Sequence, residues 1–314
     1  MVAEAASGTT MITAVGPFDL ALSVKAAASF LPAIEPTSEM LRTGIYLDGQ
    51  PAIIQVKQSG GEIKVVGPAS VGPAAIGSEA LRAIAARLIN AGLDLRPFYT
   101  LCADHAVLGP VAASLYGVKP LRPPSLFEML VIAITEQQLS LAAAFHIRRR
   151  LVERFGQRRE DVWLFPEAPR LAAAPMALLK ACGLSGRKAE YVQTLAGEIA
   201  AGRLDLAALD GMSDAAVREV LTRQRGLGEW SIDYFLARGL GRPDCLPAGD
   251  VGLRRVVGLY LAGGARLSPD ELQRVLAPFS PYRSLAAYYL AVHERLFRPQ
   301  AEKVRGMSSQ EARR

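Results

Sequence analysis

The hydrophobic pattern changes period near Pro97, and this change constrains the fold more than any other feature of the chain. Before it, apolar residues alternate between turn signals. After it, the strand signals vanish and apolar residues recur at helical spacing. Phe18, Leu20, Leu22 and Val24 alternate with Asp19, Ala21, Ser23 and Lys25, which predicts a half-buried strand. The segment YLDGQPAIIQVKQSGGEIKVVG predicts strand, turn, strand, turn, strand, with Asp48-Gly49 and Ser59-Gly60-Gly61 as the turns. Between these lies KAAASFLPAIEP, read as a short helix up to Pro32. SEALRAIAARLIN is a further helix, with Leu81, Ile84, Ala85 and Leu88 on one face. The opening MVAEAASGTT has no basic region followed by an apolar run, so it reads as a frayed terminus and not a secretory signal.

In the second part, Ser125-Leu126-Phe127-Glu128 predicts a capping box in front of the helix MLVIAIT. Ser140 caps the next helix, which Gly156 ends, and Arg148, Arg149 and Arg150 within it read as a solvated face. RKAEYVQTLAGEIAAG stops at Gly202, and Ser213 caps DAAVREVLTR. The expected fold class is therefore α+β: a small antiparallel-sheet domain over residues 1–98, then a mainly helical domain over 99–314.

Lys and Arg outnumber Asp and Glu by 36 to 30, a basic balance that suits a polyanionic partner and equally an ordinary basic enzyme. Cys102, Cys182 and Cys245 are too few and too scattered for a disulfide framework or a four-cysteine cluster, which fits a reducing cytoplasm. His105, His146 and His293 lack zinc-ligand spacing, and no apolar run reaches transmembrane length. No phosphate-binding loop or dinucleotide fingerprint is present, so no cofactor is expected.

The informative stretch is LTRQRGLGEWSIDYFLARGLGRPDCLPAGDVGLRRVVG. Gly226 and Gly228 flank Leu227 between two helices; such a turn lets backbone approach a ligand while Leu227 tucks between the helices. The second helix aims unpaired N–H groups over the turn, an arrangement that binds anions such as a DNA phosphate. Asp250 opens the next helix at its N-cap, held rigidly against the positive end of the helix dipole. Taken singly, the first reads as a plain turn between helices and the second as a plain N-cap.

Together these residues resemble the helix-hairpin-helix superfamily of base-excision DNA glycosylases, and within it the 3-methyladenine DNA glycosylase II family. The matching segments, in order, are LRPPSLFEMLVIAITEQQLS, CGLSGRKAEYVQTLA, RGLGEWSIDYFLARGLGRPD, LPAGDVGLRR and PYRSLAAYYL. The resemblance implies two helical lobes, residues 126–242 and residues 99–125 with 243–314. It implies that Asp250 is the catalytic carboxylate, opposing the positive charge that develops on the sugar as the base departs. It places Trp230 and Tyr234 in the base pocket, and their spacing puts them on one helix face. Lyase members carry a lysine where Trp230 stands, so the resemblance implies a monofunctional enzyme that leaves an unbroken strand. A further tryptophan common in the family is replaced by Ala291, with Tyr288 and Tyr289 as the aromatic residues nearby.

By the same resemblance, Gln138, then Leu139, is the candidate to fill the hole left by the extruded base. Gly226, Leu227 and Gly228 would contact DNA, and the carbonyls of Thr222, Gln224 and Leu227 would hold a monovalent cation. Arg187, Lys188, Arg223, Arg225, Arg254 and Arg255 suit a backbone-tracking face, with Lys188 a surface or phosphate contact. The expected function is excision of alkylated purines from damaged double-stranded DNA by a bacterial, cytoplasmic, nucleoid-associated monomer. The alternatives are a glycosylase for an oxidised or deaminated base and a non-catalytic helix-hairpin-helix DNA-binding protein, which would have no use for Asp250.

Overall fold

The computed structural model describes residues 7–28, 34–37, 40–47, 49–71 and 74–311. Five strands, β1 (Ser7–Ile12), β2 (Ile34–Thr37), β3 (Met40–Leu47), β4 (Gln50–Ser59) and β5 (Glu62–Pro68), form one antiparallel sheet in the order β1-β5-β4-β3-β2. The meander β3-β4-β5 is the one its alternating residues predict; Asp48 of the first turn lies outside the described residues. Of the expected frayed start, residues 1–6 lie outside the described residues, and residues 7–10 are not frayed but paired in β1, where Thr10 faces Val65 and Ile12 faces Ile63. That pairing is non-local, and a short segment of small polar residues does not announce it.

Residues 18–25 do not form a strand. Leu20–Lys25 belong instead to helix α1 (Leu20–Ala27), with Asp19 as N-cap accepting the Leu22 N–H at 2.8 Å. Leu20, Ser23, Val24 and Ala27 are buried at helical spacing, so the same residues satisfy both periods and the cap decides. Of the expected helix KAAASFLPAIEP, Lys25–Ala27 are the end of α1, and residues 29–33 lie outside the described residues. Helix α2 (Ser78–Leu88) packs its Leu81 face against the sheet.

Among the described residues, the remaining regular structure is helical but for two short antiparallel strand pairs, 70–71 with 74–75 and 157–159 with 162–164. In order come α3 (Arg96–Cys102), α4 (Leu108–Ser114), α5 (Leu126–Glu136), α6 (Leu141–Phe155), α7 (Ala168–Ala172), α8 (Met176–Ala181) and α9 (Gly186–Ala200). There follow α10 (Leu206–Leu209), α11 (Asp214–Thr222), α12 (Glu229–Arg238), α13 (Val251–Leu261), α14 (Pro269–Leu276) and α15 (Arg283–Glu311). Among the described residues, no helix is long and apolar enough to cross a membrane.

Two apolar cores organise these elements. One joins the sheet residues Leu41, Ile54, Val56 and Val65 to Leu130, Leu151, Val192 and Phe235 of the helices α5, α6, α9 and α12. The other joins Phe98 and Leu108 to Val257, Leu276 and Tyr289, on α3, α4, α13, α14 and α15. The sheet thus shares the first helical body's core, and α3 runs across the boundary expected after residue 98, with Phe98 in the second core. Burying each such side chain is worth about 1.5–3 kcal/mol.

Two local expectations need correction. Ser125 caps α5 by accepting the Phe127 and Glu128 N–H groups, but Glu128 does not reach back. Its carboxyl is fully buried, and that burial pushes its pKa up to about 7 against the pull of Arg148 and Arg87. The reciprocal box forms instead at Ser268 and Glu271. Arg148 is not solvated: it is wholly buried, ion-paired with Glu136, and lies 4.5 Å from the Phe145 ring centroid. It falls on the helical stripe of Ala144, Ile147, Leu151 and Phe155, and the stripe, not the charge run, sets its direction.

Candidate active site

The site is assembled where the two cores meet. The chain leaves α11 at Thr222, turns, and enters α12 at Glu229. Gly226 has φ +90°, and a Cβ there would lie 2.4 Å from the Tyr191 ring, so both conformation and space demand glycine. Gly228 is different. It is the N-cap of α12 in ordinary extended conformation, and a Cβ there would meet nothing within 4 Å. No side chain caps this helix, so its first-turn N–H groups remain available over an open surface. Leu227 is buried between the helices, as expected.

The hairpin is tied to the loop after α5. The Gln137 side-chain amide donates to the Gly226 carbonyl at 2.8 Å and to the Ser231 hydroxyl at 2.9 Å. Lys188 is half-buried, and its Nζ donates to the carbonyls of Thr135 and Gln137 at the end of α5. This loop presents Gln138, exposed and at φ +54°, and Leu139, which is 41% exposed. Of the two, Leu139 lines the adjoining cleft.

That cleft has a volume of about 270 Å³ and is lined by Leu139, Trp230, Tyr234, Asp250, Tyr288 and Ala291, among others. Asp250 is the N-cap of α13: its Oδ1 accepts the Leu253 N–H at 2.8 Å, and its Oδ2 lies 3.4 Å from Trp230 Nε1. One carboxylate is therefore fixed by two donors while facing the cavity. Trp230 and Tyr234 stack, with ring centroids 5.3 Å apart and planes 18° apart. Burial, reinforced by the charge of Glu136, raises the Tyr234 phenol well above its ordinary range.

The chain as a whole is similar to known proteins. The family model described as "HhH-GPD superfamily base excision DNA repair protein" matches residues 131–281. A DNA-3-methyladenine glycosylase of Bacillus subtilis (strain 168) is 30% identical over 201 residues, 63% of this chain and 66% of that protein. DNA-3-methyladenine glycosylase 2 of Escherichia coli (strain K12) is 29% identical over 190 residues, 59% of this chain and 64% of that protein. These matches thus span a little under two thirds of the relatives' own lengths. The structure of a 3-methyladenine DNA-glycosylase from Archaeoglobus fulgidus superimposes with TM-score 0.78 at 25% identity, covering 92% of this chain and 99% of that one. A DNA-3-methyladenine glycosidase structure from Bacillus halodurans is 30% identical, with TM-score 0.51 over 65% of this chain and 91% of that one.

The chain belongs to the HhH-GPD superfamily.

For this HhH-GPD protein the geometry brings Asp250, Trp230, Tyr234 and Leu139 to one cleft and keeps Gly226, Leu227 and Gly228 in the neighbouring hairpin. Tyr288 lines the cleft beside Ala291, with the Arg238 guanidinium 4.7 Å from its ring centroid. Tyr289 points away into the second core and bonds Tyr99 and the Val118 carbonyl. Glu136, Arg238 and Arg295 also line the cleft and were not singled out from the sequence. Two of them carried a signal: Arg238 continues the face of Trp230 and Tyr234, and Arg295 that of Tyr288 and Ala291.

The basic residues expected on the DNA face are mostly engaged locally. Arg223 pairs with Glu219, Arg225 with Glu190 and Arg255 with Glu294, while Arg254 donates to the Leu267 carbonyl. Exposed pairs of this kind contribute at most about 1 kcal/mol, so a phosphate can displace them. In the hairpin, the Gln224 carbonyl already accepts the Leu227 N–H at 3.2 Å. A carbonyl has two lone pairs, so this leaves room for a cation contact.

Proposed function

We propose that the chain is a monofunctional DNA glycosylase that removes alkylated purines, of the 3-methyladenine and 7-methylguanine type, from double-stranded DNA. The observation that carries this reading is Asp250, a carboxylate clamped at a helix N-terminus beside a stacked Trp–Tyr pair in a cleft. The names of the relatives agree with it.

The chemistry follows from the groups present. The Gly228 turn and the first N–H groups of α12 hold a phosphate, and a monovalent cation on the carbonyls of Thr222, Gln224 and Leu227 would add charge there. Leu139 enters the base stack as the damaged nucleotide swings out, and Gln138 beside it contacts the opposite strand. The extruded base lies against Trp230. As the glycosidic bond breaks, positive charge grows on the sugar, and Asp250 opposes it and orients the attacking water. An alkylated purine is already cationic and leaves readily, so one indispensable carboxylate suffices. No lysine is among the residues lining the cleft, and Trp230 cannot form an imine, so the product is an abasic site on an intact strand.

Trp230→Leu tests the substrate class. Leucine keeps apolar bulk but removes the π face, which attracts a cation by about 0.5–2 kcal/mol. Excision of 7-methylguanine should fall several-fold more than excision of neutral hypoxanthine, each rate being referred to spontaneous loss of the same lesion. Equal losses would assign Trp230 to packing, and a larger loss for hypoxanthine would favour a deaminated-base enzyme.

The two hairpin glycines should separate. Gly228→Leu should fold, since its side chain enters open space, yet weaken binding to a lesion duplex by at least about tenfold by blocking a phosphate. Gly226→Ala should lose stability first, through the contact with Tyr191 and its positive φ. Unchanged affinity in a folded Gly228→Leu protein would remove the hairpin from the DNA interface.

A further inference from the structure

Glu136 ends α5 and immediately precedes the loop that carries Leu139. Its side chain is 11% exposed and lines the same cleft as Asp250, Trp230 and Tyr234. Behind it, the Arg148 guanidinium is wholly buried, donates from Nη1 to Glu136 Oε1, and is packed over Phe145. The carboxylate is thus held from the protein side by a fully buried guanidinium. The mechanism above does not use it.

We propose that Glu136 is the specificity-determining residue of the base pocket: fixed by Arg148, it accepts a hydrogen bond from the exocyclic amino group of an extruded adenine-type lesion, and so favours that lesion over purines with a 6-oxo edge, 7-methylguanine and hypoxanthine alike, without excluding them. This rests on the glycosylase reading. The physical reason is directional. An ionised carboxylate accepts hydrogen bonds and donates none, so an amino group satisfies it and a carbonyl oxygen opposes it. Arg148 offsets most of its charge, so Glu136 sorts bases by the polarity of one edge, whereas Trp230 sorts them by overall charge. The two sit on different elements, α5 and α12, on the walls of one cleft. The Tyr234 phenol feels the charges of both Glu136 and Asp250, which places the recognition carboxylate and the reaction carboxylate around the same ring. A carboxylate serving only as counter-ion to Arg148 has no need of the cleft.

Glu136→Gln is the test. Glutamine has the same shape, its carbonyl can still accept from Arg148, and its NH₂ then faces the cleft as a donor. Excision of 3-methyladenine and of hypoxanthine is measured in single turnovers from otherwise identical duplexes, each relative to spontaneous loss of that lesion. The 3-methyladenine to hypoxanthine ratio should fall at least about tenfold, the scale of one charge-assisted hydrogen bond, with hypoxanthine excision unchanged or faster. Glu136→Asp keeps the charge and a partner for Arg148 but withdraws the oxygens by one methylene. It should lower the ratio without a gain for hypoxanthine, and it serves if the glutamine variant fails to fold. A ratio unchanged in a folded variant, or equal losses on both lesions, overturns the proposal alone. A wild-type protein that releases no base from any lesion overturns the glycosylase reading, and this proposal with it.

Discussion

Asp250→Asn should lower base release on the order of 10²–10³-fold while leaving the affinity for lesion-containing duplex nearly unchanged. A carboxylate about 5 Å from a developing positive charge, at an effective dielectric near 20, is worth roughly 3 kcal/mol, the scale seen when one transition-state electrostatic contact is removed. Asparagine is among the best N-cap residues, so its oxygen can still accept the Leu253 N–H and α13 keeps its start. It is also isosteric, and although its NH₂ then replaces the oxygen that faces Trp230 Nε1–H, only that long 3.4 Å contact is lost, while the ring packing of the Trp230–Tyr234 stack remains. The loss should therefore appear in the single-turnover rate and not in Kd. A variant that excises at near wild-type rate would remove Asp250 from the chemistry. Weakened binding of equal size would make its role structural.

Arg148→Ala should cost about 3–5 kcal/mol of stability, read as a lower urea midpoint. The side chain is wholly buried, pairs with Glu136, stacks on Phe145 and lies near the buried Glu128. Its loss leaves a cavity in α6's packed face, Glu136 without its ion-pair partner and Glu128 with Arg87 alone as a nearby cation. Arg149→Ala, one residue away, removes only an exposed pair with Glu153 and should change stability by less than about 1 kcal/mol. Equal effects at the two positions would mean that Arg148 is solvated after all.

Much of this molecule is written in local patterns. The meander β3-β4-β5 is legible because its alternation and its glycine turns agree, and Ser140 and Ser213 cap the helices they precede. Asp250, Trp230 and Tyr234 are legible for a similar reason: cap, helix face and glycine turn fall within one short stretch. What was misread depends on distant partners. Ser7–Ile12 becomes a strand only because β5 offers an edge. The exception is Leu20–Ala27, which satisfies two periods at once, and there the difference is local: the Asp19 cap decides for helix. Arg148 looked like part of a charge run until the stripe around it was buried, and Glu136 became a cleft residue only once α5, α12 and α15 had met. Gly226 and Gly228 look equivalent in sequence, yet one is held against Tyr191 and the other faces open space.

The most direct test of the central claim uses one end-labelled duplex with a single 7-methylguanine, incubated with the wild-type protein in the presence and absence of borohydride. The account predicts free 7-methylguanine, a strand that breaks only after alkali, and no covalent protein–DNA adduct in either sample. Failure to release the base, a strand cut without alkali, or an adduct trapped by borohydride would contradict it.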